Sequence, residues 1–487
     1  MMRADPQHTP RRLFSAVLLA LAVAGAGGCA VNPREGFDPV ERTVRERTGV
    51  QVHWDTGGPE DAEVRATVDR LLAGELTPDQ AVQVALVNSP DLQAVYEGLG
   101  VSQADLVQAG LLPNPVVSAN LRFPGRPHYP FELSVEQDFI QLLFLPLKKA
   151  VAEATFEGAR AQVIDAVLRR AAEARAAYYR YQGALQLSDM RRSVLAAAQA
   201  NADASRRLRE AGNIRELDYA GDQGLLAQAR VDLAGAEAEA AEAREDLAAL
   251  MGAWGTSAAG WRVPGRLPDP PAGQQSWADL ESTAVAQRQD LAAARNSLVS
   301  AARLAGFANY AALLSGSTVG LDVARDADVA TTLGPAISAS IPIFDQGQAA
   351  VARAQAQFRQ ARARYQALAI QIRSQLRKAQ YRAAAAQQRA LYYRDSVLPL
   401  RHRIVEETQL QYNGMFVGVS VLLQARQAEI DAGARYVEAV RDYWVARAEL
   451  EQALGGRPPA PATGVPDAAH GTAAPAMPPG HEHEHTH

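Results

Sequence analysis

Residues 346–411 run for more than sixty positions with one proline, Pro399, and one glycine, Gly347. Apolar side chains recur at Val351, Ala354, Phe358, Ala361, Tyr365, Leu368 and Ile372, in alternating steps of three and four. That spacing is a heptad seam, and it predicts helices packed side by side over a long distance. At ~1.5 Å per residue the helix would be on the order of 100 Å long, far beyond an ordinary globular helix. Pro399 removes one N–H, so a kink is expected near 391–397 rather than a helix end.

The same unit occurs earlier in the chain. Phe156, Ala159, Tyr179, Leu208 and Gly212 stand 202 positions before Phe358, Ala361, Tyr381, Leu410 and Gly414. An internal repeat of this length governs the whole reading. Repeat one covers 76–260 and repeat two 278–456, with a linker at 261–277. The composition fits: apolar residues reach 48% but aromatics only 6%, so the apolar content is mostly Ala, Leu and Val. Small side chains suit closely packed long helices. A net charge of −5 leaves no footprint for a nucleic-acid partner.

Within each repeat the period changes from 3.6 to 2. In repeat one a helix starts at Thr77-Pro78, an N-cap followed by a proline suited to the first turn. It runs to about residue 112, with an interruption at Asn88-Ser89-Pro90. Strands are expected at 116–123 and 131–138. One face of the pair carries Val117, Ala119, Leu121, Phe131, Leu133 and Val135; the other carries Asn120, Arg122, Glu132 and Glu136. Such alternation reads as strands with one apolar and one polar side. The first long helix is expected from Leu145-Pro146-Leu147 to about Glu210, and a return helix over 216–251. Repeat two copies the order: helix 278–314, strands 318–324 and 334–344, the long helix after Gly347, and a return over 421–454. Asp322 joins the polar strand face.

The ends are distinct. Arg3, Arg11 and Arg12 precede the apolar run 13–26 and then Gly27-Gly28-Cys29, the plan of a secretory signal over 1–28. Cys29 is the sole cysteine. Residues 29–75 read as an extension of turns with one short helix at 63–72. Residues 457–487, rich in Pro, Ala, Gly and His, are expected to be disordered. Five of the nine histidines are there: His470, His481, His483, His485 and His487. Imidazole alternating with carboxylate suits zinc, cobalt, nickel or copper, held weakly because the ligands must first be ordered. The plainer reading is a solvated tail.

Four strands with an apolar outer face cannot sit in a bilayer alone, because each open edge leaves backbone groups unpaired in hydrocarbon. Two copies would supply about eight strands and three about twelve; only the larger barrel leaves a water lumen. The polar face (Asn120, Arg122, Glu132, Glu136, Asp322) would line it. The plainer reading is a periplasmic coiled coil with two small hairpins.

The chain resembles the TolC-like outer-membrane efflux proteins. The resemblance is carried by Leu76-Thr77-Pro78-Asp79-Gln80-Ala81, by Asn88-Ser89-Pro90-Asp91-Leu92 and by Gln108-Ala109-Gly110-Leu111-Leu112-Pro113-Asn114-Pro115. Pro342-Ile343-Phe344-Asp345-Gln346-Gly347 and Leu422-Leu423-Gln424-Ala425-Arg426-Gln427 extend it over roughly 76–456. It implies a mainly α fold with a small β part. A homotrimer would close a twelve-stranded outer-membrane barrel and continue it as a periplasmic α-helical barrel. It also implies a periplasmic adaptor and an inner-membrane resistance-nodulation-division pump as partners. Gly27-Gly28-Cys29 resembles a lipobox, which implies acylation of Cys29 and a lipid anchor in the outer membrane. Arg47-Thr48-Gly49-Val50 with Trp54, and Tyr96-Glu97-Gly98-Leu99-Gly100, resemble the heavy-metal branch, with transition-metal ions as cargo. An alternative cargo is drugs or other organic compounds. An alternative of another class is a periplasmic adaptor or structural lipoprotein.

In that family the helix tips carry the gate. Here the tips hold Gly212, Glu216, Asp218 and Asp222, and Gly414, Ser420 and Gln424. Repeated threefold, the acids of the first tip would make a ring that favours cations. Acids at a helix start also simply suit its dipole. His53, His128 and His402 lie far apart in sequence, and no nucleophile–base set or phosphate loop stands out. No enzyme activity and no cofactor are therefore expected.

Overall fold

The computed structural model describes residues 33–121, 131–255, 260–272, 280–314, 318–325, 331–338 and 343–457. Cys29, Arg122, and the histidines His470, His481, His483, His485 and His487 lie outside them.

The described residues begin with a tight turn at Pro33–Gly36 and two helices, α1 (Asp38–Thr48) and α2 (Pro59–Leu72). α2 contains the short helix expected at 63–72, while α1 corrects the expectation of turns before it. Phe37, Val40, Val44, Val52, Trp54, Val68 and Leu72 are all buried in the main core. The apolar positions of α1 fall at steps of three and four, so one stripe packs inward. Phe37 meets Trp54 at 5.5 Å and the edge of Tyr96 at 5.0 Å between ring centres.

Helices α3 (Pro78–Asn88) and α4 (Pro90–Gly110) follow, broken at Ser89 as expected. Thr77 and Gln80 form a reciprocal capping box at the start of α3. Strands β1 (Val116–Leu121) and β2 (Phe131–Gln137) lead into α5 (Phe139–Glu210). α5 starts six residues before the expected point and carries Pro146 inside it. One proline near a helix start removes only one bond, so the helix tolerates it. α6 (Glu216–Leu250) returns along α5.

The expected single helix 278–314 is two, α7 (Leu280–Gln287) and α8 (Gln289–Leu314). Asp290 explains the break: its Oδ1 accepts the Leu291 N–H at 2.8 Å, and Arg288 Nε donates to it at 3.0 Å. The break mirrors Ser89 in repeat one. Strands β3 (Thr318–Arg325) and β4 (Thr332–Ser338) then pair. β4 is described as far as Ser338, 339–342 lie outside the described residues, and 343–344 are not the strand expected there. Gly347, at φ +80°, donates to Asp345 Oδ1 at 2.8 Å, so the chain is already turning there into α9 (Gln348–Tyr392).

At Tyr393–Val397 the helix widens into a π turn, where Leu398 N–H reaches the Tyr393 carbonyl. α10 (Leu398–Asn413) continues from it and α11 (Val419–Leu454) returns. The kink expected from Pro399 is this turn. The described part of the linker, 261–272, is a strap rather than a loose joint. Leu76 N–H bonds the Arg262 carbonyl at 2.8 Å, and Gln182 Nε2 donates to the Pro264 and Arg266 carbonyls. Trp444 Nε1 donates to the Pro268 carbonyl, and Gln387 Nε2 to that of Pro271. The main core lies where this strap, the N-terminal helices, α3, α4, α5 and α11 meet, around Trp261, Tyr96, Tyr178 and Met251.

Candidate channel-forming surfaces

The four strands form one antiparallel sheet in the order β1-β2-β3-β4. The β2–β3 pairing joins the two repeats, which the repeat pattern did not reveal. Val117 lies opposite Val135, which lies opposite Leu321, which lies opposite Pro335. On the other side Asn120 faces Glu132, Glu136 faces Gly320, and Ser134 faces Asp322. Directly opposed residues share a side, so the two alternations merge into one apolar and one polar face across the sheet.

Exposure shows which side faces out. Val117 is 60% exposed, Leu321 57%, Leu333 72% and Ile337 78%. Glu132, Ser134, Glu136 and Asp322, on the polar side, are half-buried, while Asn120 on the edge strand is exposed. A sheet in water hides its apolar face; this one shows it. Asp322 Oδ1 is buried and finds no hydrogen-bond partner among the described residues. β1 and β4 are the sheet's open edges. Gly320 has a local reason: a side chain there would meet the Val135 carbonyl at 2.7 Å.

At the far end stand the two helix tips. Gly212, at φ +72°, closes α5, with Asn213 N–H bonding the Leu208 carbonyl at 2.8 Å. Its repeat partner differs. Gly414 has φ −79°, and the left-handed residue is Met415 at φ +62°. A Cβ at Gly414 would meet the Phe416 ring at 2.8 Å. Phe416 is 84% exposed. Each acid of the first tip has a partner in its own chain. Arg209 pairs with Glu216 at 3.0 Å, and Arg215 with Asp218 at 2.8 Å. Asp222 accepts from Asn201 at 2.8 Å and from the Ser205 hydroxyl, tying α6 to α5. Ser420 and Gln424 are exposed near the start of α11.

Two contacts were not read from the sequence. His402 Nδ1 lies 3.0 Å from Glu429 of α11, and Nε2 lies 3.3 Å from Glu406. These carboxylates hold the imidazole proton, raising its pKa, with the Glu429 hydrogen bond the larger cause. The i,i+4 spacing to Glu406 was visible in sequence; the bond to Glu429 needs the fold. His53 Nε2 lies 2.6 Å from Asp61 Oδ1, and the Asp61 side chain is 1% exposed. Among the described residues, no three His, Cys, Asp or Glu side chains stand together to hold a metal. None of the described helices is long and apolar enough to cross a membrane.

No family profile matches the chain, and no curated protein matches it. Solved structures do. The outer-membrane channel OprN superposes with a TM-score of 0.63 at 21% identity, over 78% of this chain and 90% of that one. VceC, an outer-membrane protein of Vibrio cholerae, gives 0.65 at 18% identity, over 78% and 96%. CusC, described for transmembrane channel formation, gives 0.63 at 17% identity, over 80% and 94%. At such identities the likeness concerns the fold, and the fold is that of outer-membrane channels: mainly α, with long helical hairpins and a small sheet.

Proposed function

We propose that the chain is the outer-membrane duct of a tripartite efflux assembly and carries heavy-metal cations out of the cell. One observation carries the reading: a four-stranded sheet with most of its apolar face exposed, the carboxylates of its polar face half-buried and both edges open. Such a sheet is stable in lipid only when closed by further copies. Three copies give about twelve strands and a water-filled lumen lined by Asn120, Arg122, Glu132, Glu136 and Asp322. The long hairpins then continue the lumen as a helical tube in the periplasm, where an adaptor and, through it, a proton-driven inner-membrane pump would dock. Acylation of Cys29 would anchor each copy, since two or more acyl chains hold firmly where one does not.

The metal cargo rests on the resemblance of 47–54 and 96–100 to the heavy-metal branch. The tail histidines His470, His481, His483, His485 and His487 would buffer those ions near the duct. Glu216, Asp218 and Asp222 form the proposed gate ring, with a field reduced by the partners each already has. The duct performs no chemistry of its own. Trimers reconstituted in planar bilayers should conduct, and a deletion strain should lose growth on zinc, cobalt or copper while keeping it on antibiotics. Loss on antibiotics alone would replace the cargo. A non-conducting protein that stays out of lipid would end the proposal.

A further inference from the structure

The N-terminal helices enclose a cleft that a duct does not require. It lies between α1, the segment 51–54, α2 and α3, with a volume of about 580 Å³. That is the size of a small-ligand site. Val52, Val64, Val68 and Leu71 supply apolar lining, while Asp38, Glu41, Glu60 and Glu63 supply carboxylates, of which Glu41 is already paired with Arg45 of α1. Arg34 is the only Arg or Lys among the described lining residues. It is already engaged, with Glu60 at 3.4 Å, the Thr56 hydroxyl at 3.0 Å and the Trp54 carbonyl at 3.4 Å.

His53 also lines the cleft. Its Nε2 meets the buried Asp61. That hydrogen bond is the main reason the Asp61 pKa is drawn down to about 2, so Asp61 is ionised and can only accept. Nε2 therefore carries a proton and donates it to Asp61. Asp61 Oδ2 has no partner among the described residues. The cleft thus combines an apolar lining with hydrogen-bond acceptors and a surplus of carboxylates. No three metal ligands stand together there, and a bare ion would leave the apolar lining uncovered.

We propose that this cleft binds an organic cation, an ammonium or guanidinium group carried on an apolar body. Such a group satisfies the carboxylates while its body covers Val64, Val68 and Leu71. The group could belong to a free amine or to a basic side chain on a protein segment; the chemistry is shared.

The test uses the full-length protein in detergent and calorimetry with 2-phenylethylammonium, its neutral isostere 2-phenylethanol, and a Leu-Arg-Leu peptide with blocked ends. The cationic probes should bind, and the alcohol should bind at least about tenfold more weakly. Asp38→Asn with Glu63→Gln should weaken the cations by a similar factor, with the melting temperature unchanged. Glu132→Gln on the sheet should leave binding intact. A peptide about tenfold tighter than the free amine would name a protein segment as the source; equal or weaker peptide binding would name a free amine. Failure of both cations to bind, equal binding of the alcohol, or an unaffected double variant would overturn the proposal. So would loss of binding in Glu132→Gln, which would move the site to the sheet.

Discussion

His402 shows how one side chain can join two helices under the control of pH. It stands on α10 and bonds Glu429 on α11, with Glu406 on its own helix and Arg426 opposing. Its folded pKa is raised, so the contact is fully made below the ordinary histidine value of about 6.5 and is lost as pH rises through the raised value. Hydrogen exchange over 398–413, corrected for intrinsic rate, should be faster at about pH 8.5 than at about pH 5.5. The difference should vanish in His402→Gln; a difference that persists there would assign it elsewhere. Asp61 behaves in the opposite sense. Its lowered pKa gives stability that is present above the ordinary carboxylate range and lost as pH falls toward about 2.

Among the elements, the second long hairpin differs from the first. α5 runs unbroken through 72 residues, while the matching helix is divided by the π turn at Tyr393–Val397. Pro399 lacks the N–H that an α-helix would bring to the Asp395 carbonyl, and its ring crowds that carbonyl. One extra residue in the turn relieves the conflict. Pro399→Ala removes the cause. The melting temperature of the assembled protein should rise, with a gain of at most about 3 kcal/mol, the interior cost of proline. Conductance should change if the kink sets the distance between the second tip and its neighbours. A variant that keeps both the wild-type melting temperature and conductance would separate the turn from Pro399.

For the whole molecule, the decisive feature is incompleteness. The sheet ends at β1 and β4, and both repeats are consumed in making only four strands. If copies close a barrel, β4 of one must pair with β1 of the next, and the alternating strand directions already allow antiparallel closure. Cysteines at Val117 or Ala119 on β1, combined with Leu333 or Pro335 on β4, should cross-link between copies. A denaturing gel should show a ladder ending at three chains, absent when either cysteine is omitted. A ladder ending at two would replace the trimer, and none at all would argue against edge-to-edge closure.

The sequence alone determined the local matters. Periods of 3.5 and 2, the duplication at 202 positions, the break at Ser89-Pro90 and the kink before Pro399 are written in neighbouring residues, so spacing suffices to read them. The polar strand positions Asn120, Glu132, Glu136 and Asp322 were legible for the same reason. Only the tertiary structure showed that β2 pairs with β3, that 33–75 is a folded cap, and that His53 and His402 are held by carboxylates. Nor could the duplication show that Met415, rather than Gly414, takes the left-handed turn. Each of these depends on which distant surfaces meet. That choice is made by burial and hydrogen-bond satisfaction across the fold, which no local spacing encodes.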